Sequence, residues 1–367
     1  MRARSPSSRA RSGAAAARTV VRAVVQALSL VLVLGVVAYA LGTLWRPSTP
    51  APATGEQALV GISPAPSDAG SSASAAAGAA TAGAYQKVEL GVIAYGPTED
   101  EVGMTVQKES RPRGPSSIAV GPDGTIYVGD DANARVQVYS SAVKHLRSIG
   151  VGEPIRDLIL GGGSDLLVLS SRAEVLAFDR TSGKAGGRWA LAGAPAKDLG
   201  KLRFVSGELA VESPQQVTYP LAKGSGASLS VLPSAEQERQ SKKGGKAASG
   251  VFYSTSYRDG GHVYQMDDQG KVVQDFALGL PNVLSVTFLD EDRSGNAYAQ
   301  VESRDESGAV VVEVRRFDKR STATAVITLE PVTYVAMARS VVVAEDGSVY
   351  EAIPSKDSMR LVKWVAK

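Results

Sequence analysis

Apolar and polar residues alternate along most of the chain beyond residue 85, with a period of two. The clearest case is Pro115 to Tyr139, PSSIAVGPDGTIYVGDDANARVQVY. Ile118-Ala119-Val120 and Ile126-Tyr127-Val128 are apolar runs on either side of a Pro-Asp-Gly turn. A polar hinge from Gly129 to Arg135 leads into Val136-Gln137-Val138-Tyr139. Alternation of this kind predicts half-buried strands, and Pro-Asp-Gly between two of them predicts a hairpin.

The same unit returns as VTFLDEDRSGNAYAQVE (286–302) and VVVAEDGSVYEA (341–352), each followed by another strand-like run. Weaker copies occupy 157–179, 201–221 and 251–277. The copies divide the chain at 115–153, 154–195, 196–250, 251–281, 282–331 and 332–367. A lone unit leaves two apolar faces bare, and packing the units in a ring buries both. The expected fold is therefore all-β, a six-bladed propeller, with five or seven blades also compatible with the degenerate middle copies. Lys87 to Tyr95 reads as a strand with no partner of its own. It is expected to complete the last blade beside Arg360–Val365 and so close the ring. The propeller is assigned to 85–367.

Ahead of it the pattern changes. Residues 1–22 form a basic arm of Arg, Ser and Ala without periodicity. Ala23 to Trp45 carry no charge and predict a transmembrane signal-anchor helix; at 1.5 Å per residue they match a hydrocarbon core of about 30 Å. The preceding Arg residues place the N-terminus in the cytoplasm and the rest of the chain outside. A cleavable signal peptide ending near Ala40, at Ala38-Tyr39-Ala40, is the second reading and predicts a secreted product. Residues 46–84 are a Pro/Ala/Ser/Gly-rich linker with too little apolar bulk for a core.

Charge sharpens this. The formal net charge is +3, from 40 basic and 37 acidic residues. Seven Arg and no acid fall in the first 46 residues, leaving 33 basic against 37 acidic in the remainder. A mildly acidic main domain lacks the basic face that nucleic acid requires, so no nucleic-acid partner is expected. The chain has no Cys and two His, His145 and His262. That excludes disulfides, thiolate catalysis and Cys-based metal sites. The Ala-, Gly- and Arg-rich composition accords with a bacterial origin.

At this point the best copy resembles an NHL repeat. Pro115, Ile118, Val120, Asp123, Gly124, Ile126, Tyr127, Val128, Asp130, Asn133, Arg135 and Val136 stand where that pattern places them, with Ala134 in place of its usual His. The resemblance covers about 25 residues tightly and about 250 loosely. It implies a six-bladed propeller; such propellers serve as binding platforms and occasionally as enzymes.

The candidate binding residues are Asp130, Asn133 and Arg135 in the hinge, read either as a ligand-facing cluster or as a brace between strands. Lys242, Lys243 and Lys246 form a basic patch in what reads as an insertion loop, Ala222 to Gly250, facing solvent or an anionic envelope polymer. Asp290, Asp292 and Ser294 resemble the start of a calcium loop, with Gly295 at its sixth position; position 12 is Val301, which cannot supply the closing carboxylate. These three are the candidate metal ligands, against the plainer reading of an acidic hairpin turn. Ser141 to Lys144 matches S-x-x-K without the partner motifs it needs. No catalytic residue and no cofactor is assigned, and a divalent cation stays open as a ligand. The function these features imply is a membrane-anchored, extracytoplasmic binding or scaffolding module with a protein partner in the cell envelope. The alternative is an exported metal-dependent hydrolase or lyase using channel carboxylates; a purely structural spacer is the third.

Overall fold

The computed structural model describes residues 85–367 except 107, 109–111, 193–198, 206–207, 214–217, 224–227, 232–244, 248, 268, 321 and 332–333. The basic arm, the anchor segment 23–45 and the linker 46–84 lie outside the described residues, and no helix among those described is long and apolar enough to cross a membrane.

Every regular element described is a strand. β1 (Tyr85–Ala94) comes first. Blade one is β2 (Pro115–Val120), β3 (Ile126–Asp130), β4 (Arg135–Tyr139) and β5 (His145–Gly150). Blade two is β6 (Ile155–Leu160), β7 (Asp165–Ser170), β8 (Glu174–Asp179) and β9 (Ala185–Ala192). Blade three is β10 (Lys201–Val205), β11 (Glu208–Glu212), β12 (Thr218–Lys223) and β13 (Ser228–Val231). Blade four is β14 (Gly245–Lys246), β15 (Phe252–Ser256), β16 (His262–Met266) and β17 (Val272–Ala277). Blade five is β18 (Val283–Glu291), β19 (Ala297–Arg304), β20 (Val310–Phe317) and β21 (Ala323–Leu329). Blade six is β22 (Val341–Val343), β23 (Val349–Pro354) and β24 (Ser358–Ala366), with β1 added as its outer strand.

The inner strands β2, β6, β10, β14, β18 and β22 each touch the next, and β22 touches β2, so the ring is closed. This is the six-bladed propeller that the repeat spacing predicts. β1 lies antiparallel on β24, from Tyr85 opposite Ala366 to Ala94 opposite Ser358, with a bulge between Glu89 and Gly91. The predicted closure of the last blade is therefore present. At the bulge, Val143 of the β4–β5 turn sits against Gly91; a Cβ there would lie 3.0 Å from the Val143 Cβ.

Apolar clusters fill the gaps between blades. Val136, Val138 and Tyr127 pack on Leu158, Leu166 and Phe178 between blades one and two. Comparable clusters lie between two and three, four and five, five and six, and six and one. Among the described residues no such cluster lies between blades three and four.

The sequence reading errs most in that region. Ala222–Gly250 is not one insertion loop. It contains β13, the outer strand of blade three, and β14, the inner strand of blade four, so blade four begins before residue 251. β14 pairs over two residues only, Gly245 with Tyr253 and Lys246 with Phe252, too few to show alternation. β13 is read poorly for another reason. It also pairs in parallel with β9 of blade two, which merges blades two and three into one eight-stranded sheet.

Candidate functional site

Inner strands of a propeller bring their middle residues to the central channel, and here two of those residues are charged within largely apolar runs. Asp157 interrupts Ile-Arg-Asp-Leu-Ile-Leu in β6, and Arg203 interrupts Lys-Leu-Arg-Phe-Val in β10. Asp157 is fully buried. Arg339, just ahead of β22, reaches it through Nε at 3.2 Å and Nη2 at 2.8 Å. The same Nη2 donates to the Leu202 carbonyl at 2.8 Å, and the Leu202 N–H donates to the Asp157 Oδ2 at 2.7 Å. Blade six is thereby tied to blades two and three.

Arg203 makes a second cross-brace. Its Nε donates to Glu212, and its Nη1 and Nη2 donate to the Leu289 and Phe288 carbonyls of blade five, each at 3.0 Å. It spans past blade four, whose inner strand is the shortest. Buried charges are tolerated when paired and hydrogen-bonded, and each arginine here has a carboxylate partner and at least one backbone carbonyl.

The hairpin end of the channel opens into a cavity of about 990 Å³. Its wall is made by the turns Pro122-Asp123-Gly124 of blade one, Gly161-Gly162-Gly163 of blade two and Glu345-Asp346 of blade six. Charge around it is mixed. Arg180, Arg293, Arg339 and Lys363 face Asp123, Asp290, Glu345 and Asp346. Arg293 is paired with Glu345, and Lys363 lies 3.9 Å from Asp346. The Thr125 N–H and hydroxyl donate to Asp123 and hold its carboxyl below the usual range. Ser141 is in the wall, but neither histidine is.

The hinge residues face their own chain. The Asp130 Oδ1 accepts from the Gly103 N–H at 2.9 Å and the Asn133 N–H at 3.2 Å; its Oδ2 accepts from Asn133 Nδ2 at 2.9 Å and Arg135 Nε at 3.0 Å. Arg135 also donates to the Thr98 and Glu101 carbonyls, and Asn133 to that of Gly96. Gln137, Tyr139 and Ser148 continue the row, donating to the carbonyls of Glu99, Asp100 and Glu101. Segment 96–103 is thus strapped onto blade one by its backbone.

Of the three candidate metal residues, Asp292 is engaged within its own turn. The Asp292 Oδ1 accepts from the Ser294 and Asn296 N–H groups at 2.9 and 3.0 Å, and its Oδ2 from Asn296 Nδ2 at 2.7 Å and the Tyr298 hydroxyl at 3.0 Å. Tyr298 in turn meets the Tyr85 hydroxyl at 3.0 Å. Ser294 is engaged through that N–H. Asp290 accepts from the Glu291 N–H at 2.9 Å and belongs to the cavity wall. Among the described residues no group of three His, Asp or Glu side chains is placed to hold a metal ion. Lys246 lies in β14; Lys242 and Lys243 fall outside the described residues. His145 contacts Gln137 at 3.0 Å, and His262 contacts Asp275 at 2.8 Å on the outer half of blade four.

The channel residues Asp157, Lys201, Arg203, Glu212 and Arg339 escape the sequence reading. The usable signal is a charge set inside a short apolar strand.

Comparison with solved structures returns a streptogramin B lyase, 10% identical over 77% of this chain and 98% of that one, with a TM-score of 0.42. It also returns the selenomethionine-substituted virginiamycin B lyase from Staphylococcus aureus, 8% identical over 77% and 99%, with a TM-score of 0.42. Likeness at that level carries no argument about the site. No curated protein matches the chain. Residues 113–139 match the family model of the NHL repeat, so the best-formed blade of this propeller carries one.

Proposed function

We propose that the chain is a membrane-anchored, extracytoplasmic binding module whose propeller docks another component of the cell envelope at the hairpin end of the ring. The observation that carries this reading is the wide cavity at that end, walled by turns of three blades and lined by both signs of charge. Such a surface suits a partner with mixed polar groups. Its serine has no imidazole beside it, and the buried channel carboxylates Asp157 and Glu212 are taken by guanidinium groups. That favours binding over hydrolysis or lyase chemistry. The uncharged segment 23–45 supplies the anchor in this reading.

The test is site-specific photo-crosslinking in intact cells. A crosslinking residue is placed at position 293, whose side chain is 78% exposed at the cavity rim, or at position 306, in the β19–β20 turn at the other end. One discrete envelope adduct from position 293, absent from 306 and lost on Arg180→Glu, is the expected result. Adducts from 306 alone, or equally from both, would overturn the docking face.

A further inference from the structure

The charges at the end of the channel where the inner strands begin are not all paired. Lys201, Arg203 and Arg339 gather there around Asp157 and Glu212. Arg339 takes Asp157, and Arg203 takes Glu212. Lys201 stands directly opposite Glu212 in the β10–β11 ladder, yet that carboxylate is turned to Arg203. Among the described residues Lys201 makes no hydrogen bond or ion pair. Asp290 also acts on Arg339. Arg156 nearby is bonded to the Leu199 carbonyl. Among the described residues one half-buried ammonium is therefore left without an ion-pair partner, while still partly open to solvent.

We propose that this end of the channel is an anion site in which the Lys201 ammonium is the receiving charge and a small monocarboxylate is the ligand. A single unpaired cation calls for a monoanion, and the ammonium's donors suit a carboxylate oxygen. The neighbouring guanidinium groups add attraction while each keeps its own carboxylate. Burial first, and then the Arg339 charge, hold the Lys201 amine at about 8, well below an ordinary lysine. A bound carboxylate reverses that by favouring the charged form. The wall of the docking cavity includes Arg339 but not Lys201.

The test needs no variant. The full-length chain is trace-labelled with trinitrobenzenesulfonate across pH, and the rate at each lysine is read by peptide mapping. Parallel runs contain acetate, acetamide or chloride. Lys201 is expected to titrate near 8 without carboxylate. Acetate should slow its labelling at pH 8 by about fivefold, the change in neutral amine for a rise of about one pH unit, while Lys271 and Lys319 do not respond and acetamide has no effect. An unchanged Lys201 rate in acetate, or an equal response to chloride, would overturn the assignment.

Discussion

Asp130 shows how much one side chain can organise. It is fully buried and accepts four hydrogen bonds, three of them from the residues three and five positions on. Asp130→Ala strands the Arg135 guanidinium and frees the 96–103 strap. Breaking a buried pair by removing one partner costs about 3–5 kcal/mol. Urea unfolding should show that loss as a lower midpoint with an unchanged slope, and a midpoint within error of wild type would contradict the bracing role. The spacing of Asp130, Asn133 and Arg135 is visible in the sequence because all three act within a single turn. The strap they hold is not visible, since its carbonyls are gripped without regard to side-chain type.

Among the elements, β1 has the largest effect for its size. It adds the fourth strand to blade six, places Ile93 in the core between blades six and one, and sets the Tyr85 hydroxyl against Tyr298 and the Gly347 carbonyl. Removing Tyr85–Ala94 strips a full ladder and two large apolar side chains, each worth about 1.5–3 kcal/mol of burial. A fall in melting temperature of roughly 10 °C or more is expected for a domain of this size, followed by circular dichroism. An unchanged melt would mean that the ring is not held by this closure. The alternation of Lys87–Tyr95 announces the strand and its lack of a local partner. β14 has no such signature, because its two ladder residues are held in place by the blades on either side.

At the scale of the whole ring, two arginines cross the channel and bind blades that are far apart in sequence. Their pairing leaves Lys201 as one group that couples the fold to pH above neutrality. Its amine sits near 8 in the folded chain against 10.5 when unfolded. Between those values the unfolded chain binds more protons, so stability rises as pH climbs from about 8 toward 10.5. Below 8 both forms are protonated and the full cost of burying the ammonium is present. Thermal melts from pH 7 to 10 should show this rise, and Lys201→Met should flatten it while stabilising the protein at pH 7. A Lys201→Met variant with the wild-type pH profile would rule out this residue as the source.

Hairpins were legible residue by residue because alternation and an Asp-Gly turn act over a few positions, and backbone geometry translates them directly into paired strands. Six such units, none able to cover both its faces, made a ring the economical packing. The channel was not legible in that way. Arg339 and Asp157 are 182 positions apart, and nothing local to either marks the other as its partner. They meet only because the ring closes at six blades and brings every inner strand to one axis. That closure pairs two arginines with two carboxylates and, among the described residues, leaves Lys201 with none.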